Sequence, residues 1–259
     1  MTSRRSGGNM VTGTVRGRLI LRWLMPVESV LDLVELIWQY RLVDESRIDV
    51  IRHELTGLFP DPRVLARELV RRGWVTPHQV NQLFTGKGSE LVLGSYLILE
   101  RIGQGGMGQV FKGISRKTGK TVAIKVLNRE KAHDEAAIKR FEREILAMSQ
   151  IEHPNVVQAL ASGVTGGNLY FVMEYVQGID LDRLVKRDGA LPLLKACDYI
   201  RQAALGLQQA FERGFIHRDV KPSNLLLCEE TGQVKVLDLG LARAMDSSRK
   251  GSTALTQLG

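Results

Sequence analysis

Two short motifs constrain this chain more than any other stretch: His217-Arg218-Asp219-Val220-Lys221-Pro222-Ser223-Asn224 and, fourteen residues after its end, Asp238-Leu239-Gly240. Between them lie two apolar runs, Leu225–Cys228 and Val234–Leu237, around the turn-like Glu229-Glu230-Thr231-Gly232-Gln233. Two such runs around a Gly-containing turn predict a β-hairpin. In an antiparallel hairpin the first residue of one strand lies opposite the last of the other, so Asn224 and Asp238 are expected to meet. An amide oxygen and a carboxylate at one spot are hard ligands of the kind Mg²⁺ takes, with phosphate oxygens and waters completing the shell.

A second glycine-rich stretch lies upstream, Ile102-Gly103-Gln104-Gly105-Gly106-Met107-Gly108-Gln109-Val110. The pattern Gly-x-Gly-x-x-Gly also marks dinucleotide-binding folds, but there a helix should follow the glycines. Here Val110-Phe111-Lys112 is strand-like, Thr118-Gly119-Lys120 is a turn, and Thr121–Leu127 is another strand. A glycine-rich hairpin lets backbone N–H groups approach phosphates without side-chain obstruction. Strand alternation puts Ala123 and Lys125 on one face, where a small apolar residue meets a purine ring and an ammonium reaches its phosphates.

The remaining chain divides by pattern. Residues 1–26 are rich in Gly, Ser, Thr and Arg without periodicity and are expected to be a disordered basic tail. The first helical pattern begins directly after Met25-Pro26, which suggests a translation start at Met25. Residues 27–88 predict a small all-α segment of four short helices. Val30, Leu31, Val34, Ile37 and Trp38 share one helical face. Asp44 caps a helix carrying Ile48, Ile51 and Leu55 that Gly57 should end. Asp61-Pro62 starts a third with Val64, Leu65, Leu69 and Val70, and Thr76-Pro77-His78-Gln79 a fourth with Val80, Leu83 and Phe84. Gly86-Lys87-Gly88-Ser89 reads as a linker. This segment is either a protein-interaction or regulatory module, or a structural cap. Further on, Phe141, Ile145 and Met148 mark a helix over 135–150 that Glu144 borders. His153-Pro154-Asn155 ends it, and His153 lacks partners at metal spacing. Strands follow over 156–164 and 169–176, then a short helix over 180–188 and a longer one over 194–213 carrying Ile200, Ala204, Leu207 and Phe211.

Composition adds limits. An apolar fraction of 44% and a charged fraction of 25% are those of a soluble globular protein. Five arginines and no acid fall in residues 1–24, so much of the net +8 sits on the tail, and the charge argues weakly for nucleic-acid binding. No nucleic-acid partner is expected. The two cysteines, Cys197 and Cys228, fit no metal or disulfide pattern and are expected to be buried or inert thiols in a reducing compartment. No run approaches the ~18–20 apolar residues of a membrane span, and Leu19–Met25 is too short for one. The chain is expected to be cytoplasmic.

Glycine loop, Val122-Ala123-Ile124-Lys125, Glu144, the 217–224 motif and Asp238-x-Gly240 occur in an order and at intervals that resemble eukaryotic-like (Hanks-type) protein kinases. Ile102-Gly103 with Gly105-Gly106-Met107-Gly108, Met173-Glu174-Tyr175 and Asp238-Leu239-Gly240-Leu241-Ala242-Arg243 are similar to the bacterial serine/threonine branch. The resemblance implies an α+β, bilobal kinase fold over 94–259: an N-lobe (94–175) of antiparallel sheet plus one helix, and an incomplete helical C-lobe (176–259). It implies ATP and Mg²⁺ as cofactors and a protein substrate.

Residue by residue, it implies that Lys125 grips the α- and β-phosphates and pairs with Glu144. Asp219 orients the substrate hydroxyl and accepts its proton. Lys221 touches the γ-phosphate, which goes with Ser/Thr specificity, while Asn224 and Asp238 hold Mg²⁺. The nucleotide pocket would be lined by Ile102, Gly103, Gln104, Gly105, Gly106, Met107, Gly108, Gln109, Val110, Ala123, Lys125, Glu174, Val176 and Leu226, with Met173 as gatekeeper. Ser252, Thr253 and Thr256 are candidate activation-loop phosphosites. Two departures stand out: Leu239 replaces the usual Phe, and no Ala-Pro-Glu motif follows before Gly259. The resemblance is therefore to a C-terminally truncated kinase, and the alternative function is a non-catalytic scaffold or pseudokinase. The helical segment would then bind a regulatory protein.

Overall fold

The structure, a computed structural model, describes residues 27–105, 108–127, 145–146, 148–165 and 167–239, with isolated positions 139 and 143. The expected disordered tail, Gly106, Met107, Phe141, Glu144, Gly240, Ser252, Thr253 and Thr256 lie outside the described residues. The chain forms two compact units that divide between Leu91 and Val92.

The first unit is helical. Helix α1 (Val30–Gln39) starts at a capping box in which Ser29 and Asp32 satisfy each other's backbone N–H groups. Asp44 caps α2 (Glu45–Val50), accepting the Arg47 N–H at 2.9 Å. Gly57 does not end this helix. The chain continues through a π-helical turn, Ile51–Leu55, to Leu58, which keeps Ile48, Ile51 and Leu55 buried along one side. Asp61 caps α3 (Pro62–Arg71) and Thr76 caps α4 (Pro77–Phe84), as the sequence predicts. Leu33, Ile37, Leu65, Leu69 and Leu83 fill the core, whereas Val64 and Trp38 are exposed. The stretch expected as a linker is packed instead. Gly88–Leu91 forms a 3₁₀ turn, and a Cβ on Gly88 would overlap the Tyr40 ring.

The second unit holds two antiparallel sheets. Six strands run β1 (Val92–Leu93), β2 (Tyr96–Gly105), β3 (Gly108–Ser115), β4 (Thr121–Leu127), β5 (Ala159–Thr165) and β6 (Asn168–Glu174), in the order β1-β2-β3-β4-β6-β5. Three more, β7 (Gly178–Asp180), β8 (Leu225–Cys228) and β9 (Val234–Val236), form the second sheet. Alternation along β4 separates two cores. Val122 and Ile124 pack with Ile98, Tyr170 and Val172, while Ala123 and Leu127 join Met148, Phe171, Met173, Leu225 and Val236 on the other face.

Among the described residues of this unit are also helices α5 (Leu181–Asp188) and α6 (Leu193–Glu212). The α6 residues buried most deeply are Ala203, Gly206 and Ala210; of the larger side chains marked by the sequence, Leu207 packs partly against the core, while Ile200 and Phe211 are 60% and 64% exposed. The reason is proximity: a Cβ on Gly206 would overlap the Asn155 carbonyl oxygen. Only small residues allow that approach. Polar groups then lock the helix down. Gln202 Oε1 accepts the Val234 N–H (2.8 Å) and the Asn155 amide (3.2 Å), and Asn155 Nδ2 also donates to Val234 O (2.8 Å). His153 Nδ1 accepts the Asn155 N–H at 3.1 Å, a structural use of this histidine.

Candidate active site

Strand β4 carries Lys125 between Ala123 and Leu127 on the face that looks toward the second sheet, where Lys125 is only 6% exposed. Val110 of β3 is its cross-strand neighbour, and Met173 of β6 is that of Ala123. Ala123 and Lys125 thus share a face, as alternation predicts. At the tip of the β2–β3 hairpin Gly105 pairs with Gly108. Gly108 has φ 146° and no room for a Cβ against the Val126 carbonyl oxygen, so only glycine fits there. Gln109 pairs with Gln104, whose side chain accepts from Arg101 at 3.1 Å. The pairing skips Ile102 between Arg101 and Gly103, and this bulged residue is exposed.

The segment after α6 places the acidic groups. His217 is buried; Nδ1 accepts the Asp219 N–H (3.2 Å) and Nε2 lies 2.8 Å from Leu237 O, so the Nε2–H tautomer satisfies both contacts. Leu237 is also held through its own N–H, which donates to Asn224 O at 2.9 Å. Arg218 and Asp238 have φ of 63° and 56°, a left-handed conformation that costs energy in non-glycine residues and clusters at functional sites. The hairpin is one residue out from the simple expectation. Leu225 pairs with Val236, so Asn224 is level with Leu237 and Asp238 lies one step beyond. The left-handed turn at Asp238 takes it out of the ladder.

Three contacts join these groups. Lys125 Nζ lies 2.5 Å from Asp238 Oδ2. Lys221 Nζ lies 2.7 Å from Asp219 Oδ2. Asn224 Nδ2 donates to Asp219 O (2.8 Å) and Oδ2 (3.1 Å). The Lys221 ammonium, helped by the Asn224 amide, holds the Asp219 carboxyl below the usual carboxylate range. Asp219 is half-exposed, as a group that must meet a second molecule would be. Glu144, the expected partner of Lys125, is outside the described residues; the partner the structure shows is Asp238.

Glu174 ends β6, and its carboxylate accepts from Lys235 Nζ (2.8 Å) and the Gln158 N–H (2.9 Å). Neither contact was marked in the sequence, although the acid and the lysine lie in two strands predicted there. Val176 packs against the main core, and Leu226 of β8 pairs with Asp180 and Lys235. Cys197 is exposed rather than buried, and Cys228 is half-buried with its thiol pulled down by a hydrogen bond from Thr231.

Comparison with known proteins identifies the family. The protein kinase domain family matches residues 96–258. The chain is 43% identical over 158 residues to a protein of Clostridium perfringens named "Probable serine/threonine-protein kinase", covering 61% of this chain and 23% of that protein. It is 38% identical over 167 residues to the serine/threonine-protein kinase PknA of Mycobacterium tuberculosis, covering 62% and 38%. The chain thus spans well under half the length of these relatives. Among solved structures, a point mutant of the kinase domain of Mycobacterium tuberculosis PknI superposes with a TM-score of 0.51 at 29% identity, over 58% of this chain and 61% of that one.

Proposed function

The chain belongs to the protein kinase family, and on that premise we propose that it binds ATP with Mg²⁺ and directs the γ-phosphoryl group onto a Ser or Thr hydroxyl of a protein. The observation that carries this reading is the contact set Lys125–Asp238, Lys221–Asp219 and Asn224–Asp219, drawn from β4, the segment after α6 and the β9 exit. Lys125 is the phosphate grip. Both contacts to Asp219 fall on Oδ2, which leaves Oδ1 to take the hydroxyl proton as the oxygen attacks phosphorus and the bond to ADP breaks. A carboxylate is a weak base, but the phosphoryl transition state is loose, so positioning matters more than basicity. Lys221 neutralises charge beside the transferred group.

The donor set suits Mg²⁺. Asn224 Nδ2 is engaged with Asp219, so its Oδ1 would be the amide's ligand atom, with the Asp238 carboxylate as the second protein ligand. Among the described residues no three His, Cys, Asp or Glu side chains group as a metal site. Phosphate oxygens and waters would complete the shell, the usual arrangement for Mg²⁺. When bound, the ion would neutralise phosphate charge.

Residues 27–88 are assigned a regulatory protein-binding role, supported by the exposed Leu31, Trp38 and Leu58. A cytoplasmic setting is supported by two free cysteines; among the described residues no helix is long and apolar enough to cross a membrane. One observation favours a second reading, a binding scaffold without transfer: the apolar outer face of α6, with Leu194 and Phe211 84% and 64% exposed. The test is transfer of ³²P from labelled ATP to a basic protein substrate by the 259-residue chain. Transfer abolished by Asp219→Asn supports the kinase; nucleotide binding without transfer supports the scaffold; neither activity refutes the site.

A further inference from the structure

The segment Tyr175–Gln177 is the short connection between the six-stranded and three-stranded sheets, and it is gripped from both. From the three-stranded sheet, Lys235 of β9 reaches Glu174 Oε1 at 2.8 Å, with the two side chains only 16% and 30% exposed. The same oxygen accepts the Gln158 N–H at 2.9 Å, so one carboxylate ties the end of β6 to β9 and to the lead-in of β5. From the six-stranded sheet, Lys112 of β3 sets its ammonium 4.9 Å from the centre of the Tyr175 ring, while lying 3.5 Å from Glu100. Beyond the connection, the Glu229 N–H donates to Gln177 O at 3.1 Å.

We propose that Lys235 and Lys112 form a two-sided clamp that holds this connection in one conformation and so pre-sets the cleft for nucleotide. They are positioning residues and do not touch the nucleotide themselves. The inference rests on the reading of Glu174 and Val176 as lining of the nucleotide pocket. Hinge motion in such folds is absorbed by a few residues at element ends. An ion pair shielded from water on both partners is stronger than one on the open surface. Ordering the connection before binding removes that cost from the binding step. The chemistry of the pair also makes it directional. Glu174→Gln keeps an acceptor for the Gln158 N–H and loses only the charge that Lys235 reads.

The experiment is amide hydrogen exchange over residues 174–178 in the nucleotide-free 259-residue chain, followed by binding of a fluorescent ATP analogue. Lys235→Met and Glu174→Gln should each quicken exchange several-fold. The double variant should be no faster than either alone, and Lys235→Arg should stay near wild type. Lys112→Met, an independent break on the other side, should quicken exchange to a smaller degree. Analogue affinity should fall roughly 3- to 10-fold in the Lys235→Met chain. Unchanged exchange in both Lys235→Met and Lys112→Met, or an additive double variant, overturns the clamp. Faster exchange with unchanged affinity overturns its positioning role. If the wild-type chain binds no analogue, the nucleotide reading falls, and the exchange data still decide whether the clamp exists.

Discussion

Lys125 Nζ lies 2.5 Å from Asp238 Oδ2 although the two residues are 113 positions apart, and the lysine is almost fully buried. A buried ammonium needs a counter-charge, because desolvation penalises the unpaired ion heavily. The residue proposed to grip phosphate is therefore held by the residue proposed to hold the metal. Phosphate at Lys125 and Mg²⁺ at Asp238 would each compete with this ion pair.

Asp238→Asn removes that competition. The expected outcome is Mg²⁺-free binding of an ATP analogue at least as tight as in wild type, with the enhancement by Mg²⁺ lost. Removing a carboxylate from a largely buried pair should also cost about 1–3 kcal/mol of stability. Lys125→Met should instead weaken binding with and without Mg²⁺. Fluorescence titration at two metal concentrations checks both, and a Mg²⁺ response surviving in Asp238→Asn would refute the metal assignment.

Asp219 has its carboxyl lowered chiefly by Lys221. A depressed carboxyl stays ionised above its unfolded value, and its favourable contacts are lost only as pH falls through the lower folded value. Lys221→Met should move the Asp219 titration upward, toward the ordinary value of 3.8. It should also slow phosphoryl transfer by about 100-fold, the scale for losing one charge-stabilising donor. Carbon-detected NMR titration of the carboxyl follows the first effect and single-turnover transfer the second.

Gly206 offers a sign test of packing. In an exposed helix interior, Gly→Ala gains about 1 kcal/mol. At this position the added methyl meets the Asn155 carbonyl oxygen, whose neighbour β9 is fixed by Gln202 and Asn155. Gly206→Ala should therefore destabilise the chain by about 1–3 kcal/mol, the usual cost of overpacking. Urea unfolding reads the difference, and a gain in stability would show that α6 can retreat from Asn155.

The outward face of α6 carries Leu194, Ile200 and Phe211, at 84%, 60% and 64% exposure. Replacing exposed side chains shifts stability by less than about 0.5 kcal/mol. Ile200→Lys with Phe211→Lys should leave the melting temperature unchanged, reduce binding of a hydrophobic dye and lower aggregation. A clear loss of stability would mean that this face is covered in solution.

Much of the local structure was legible because local rules decide it. The caps at Asp44, Asp61 and Thr76 follow from a side-chain oxygen within reach of orphan N–H groups. Alternation along β4 placed Ala123 and Lys125 together, and the turn at Glu229–Gln233 folded β8 onto β9. Other features misled for equally physical reasons. Periodicity marks which α6 residues are apolar, yet the helix buries Ala203, Gly206 and Ala210, because closeness of approach outweighed side-chain size. Gly57 looked like a stop, but a π turn carried the helix past it, and Gly88 looked like a linker residue although it is packed under Tyr40.

The sequence by itself determined the family, through the order and spacing of its motifs, and which residue types could serve phosphate, metal and proton. Only the tertiary structure decided who meets whom. Lys125 rests on Asp238, Asp219 is shared by Lys221 and Asn224, and Glu174 is bound to Lys235 across two sheets. Spacing along a chain constrains neighbours within a turn or a hairpin. Contacts between distant segments depend on how whole faces pack and on which charges that packing leaves without water, and no local pattern encodes that balance.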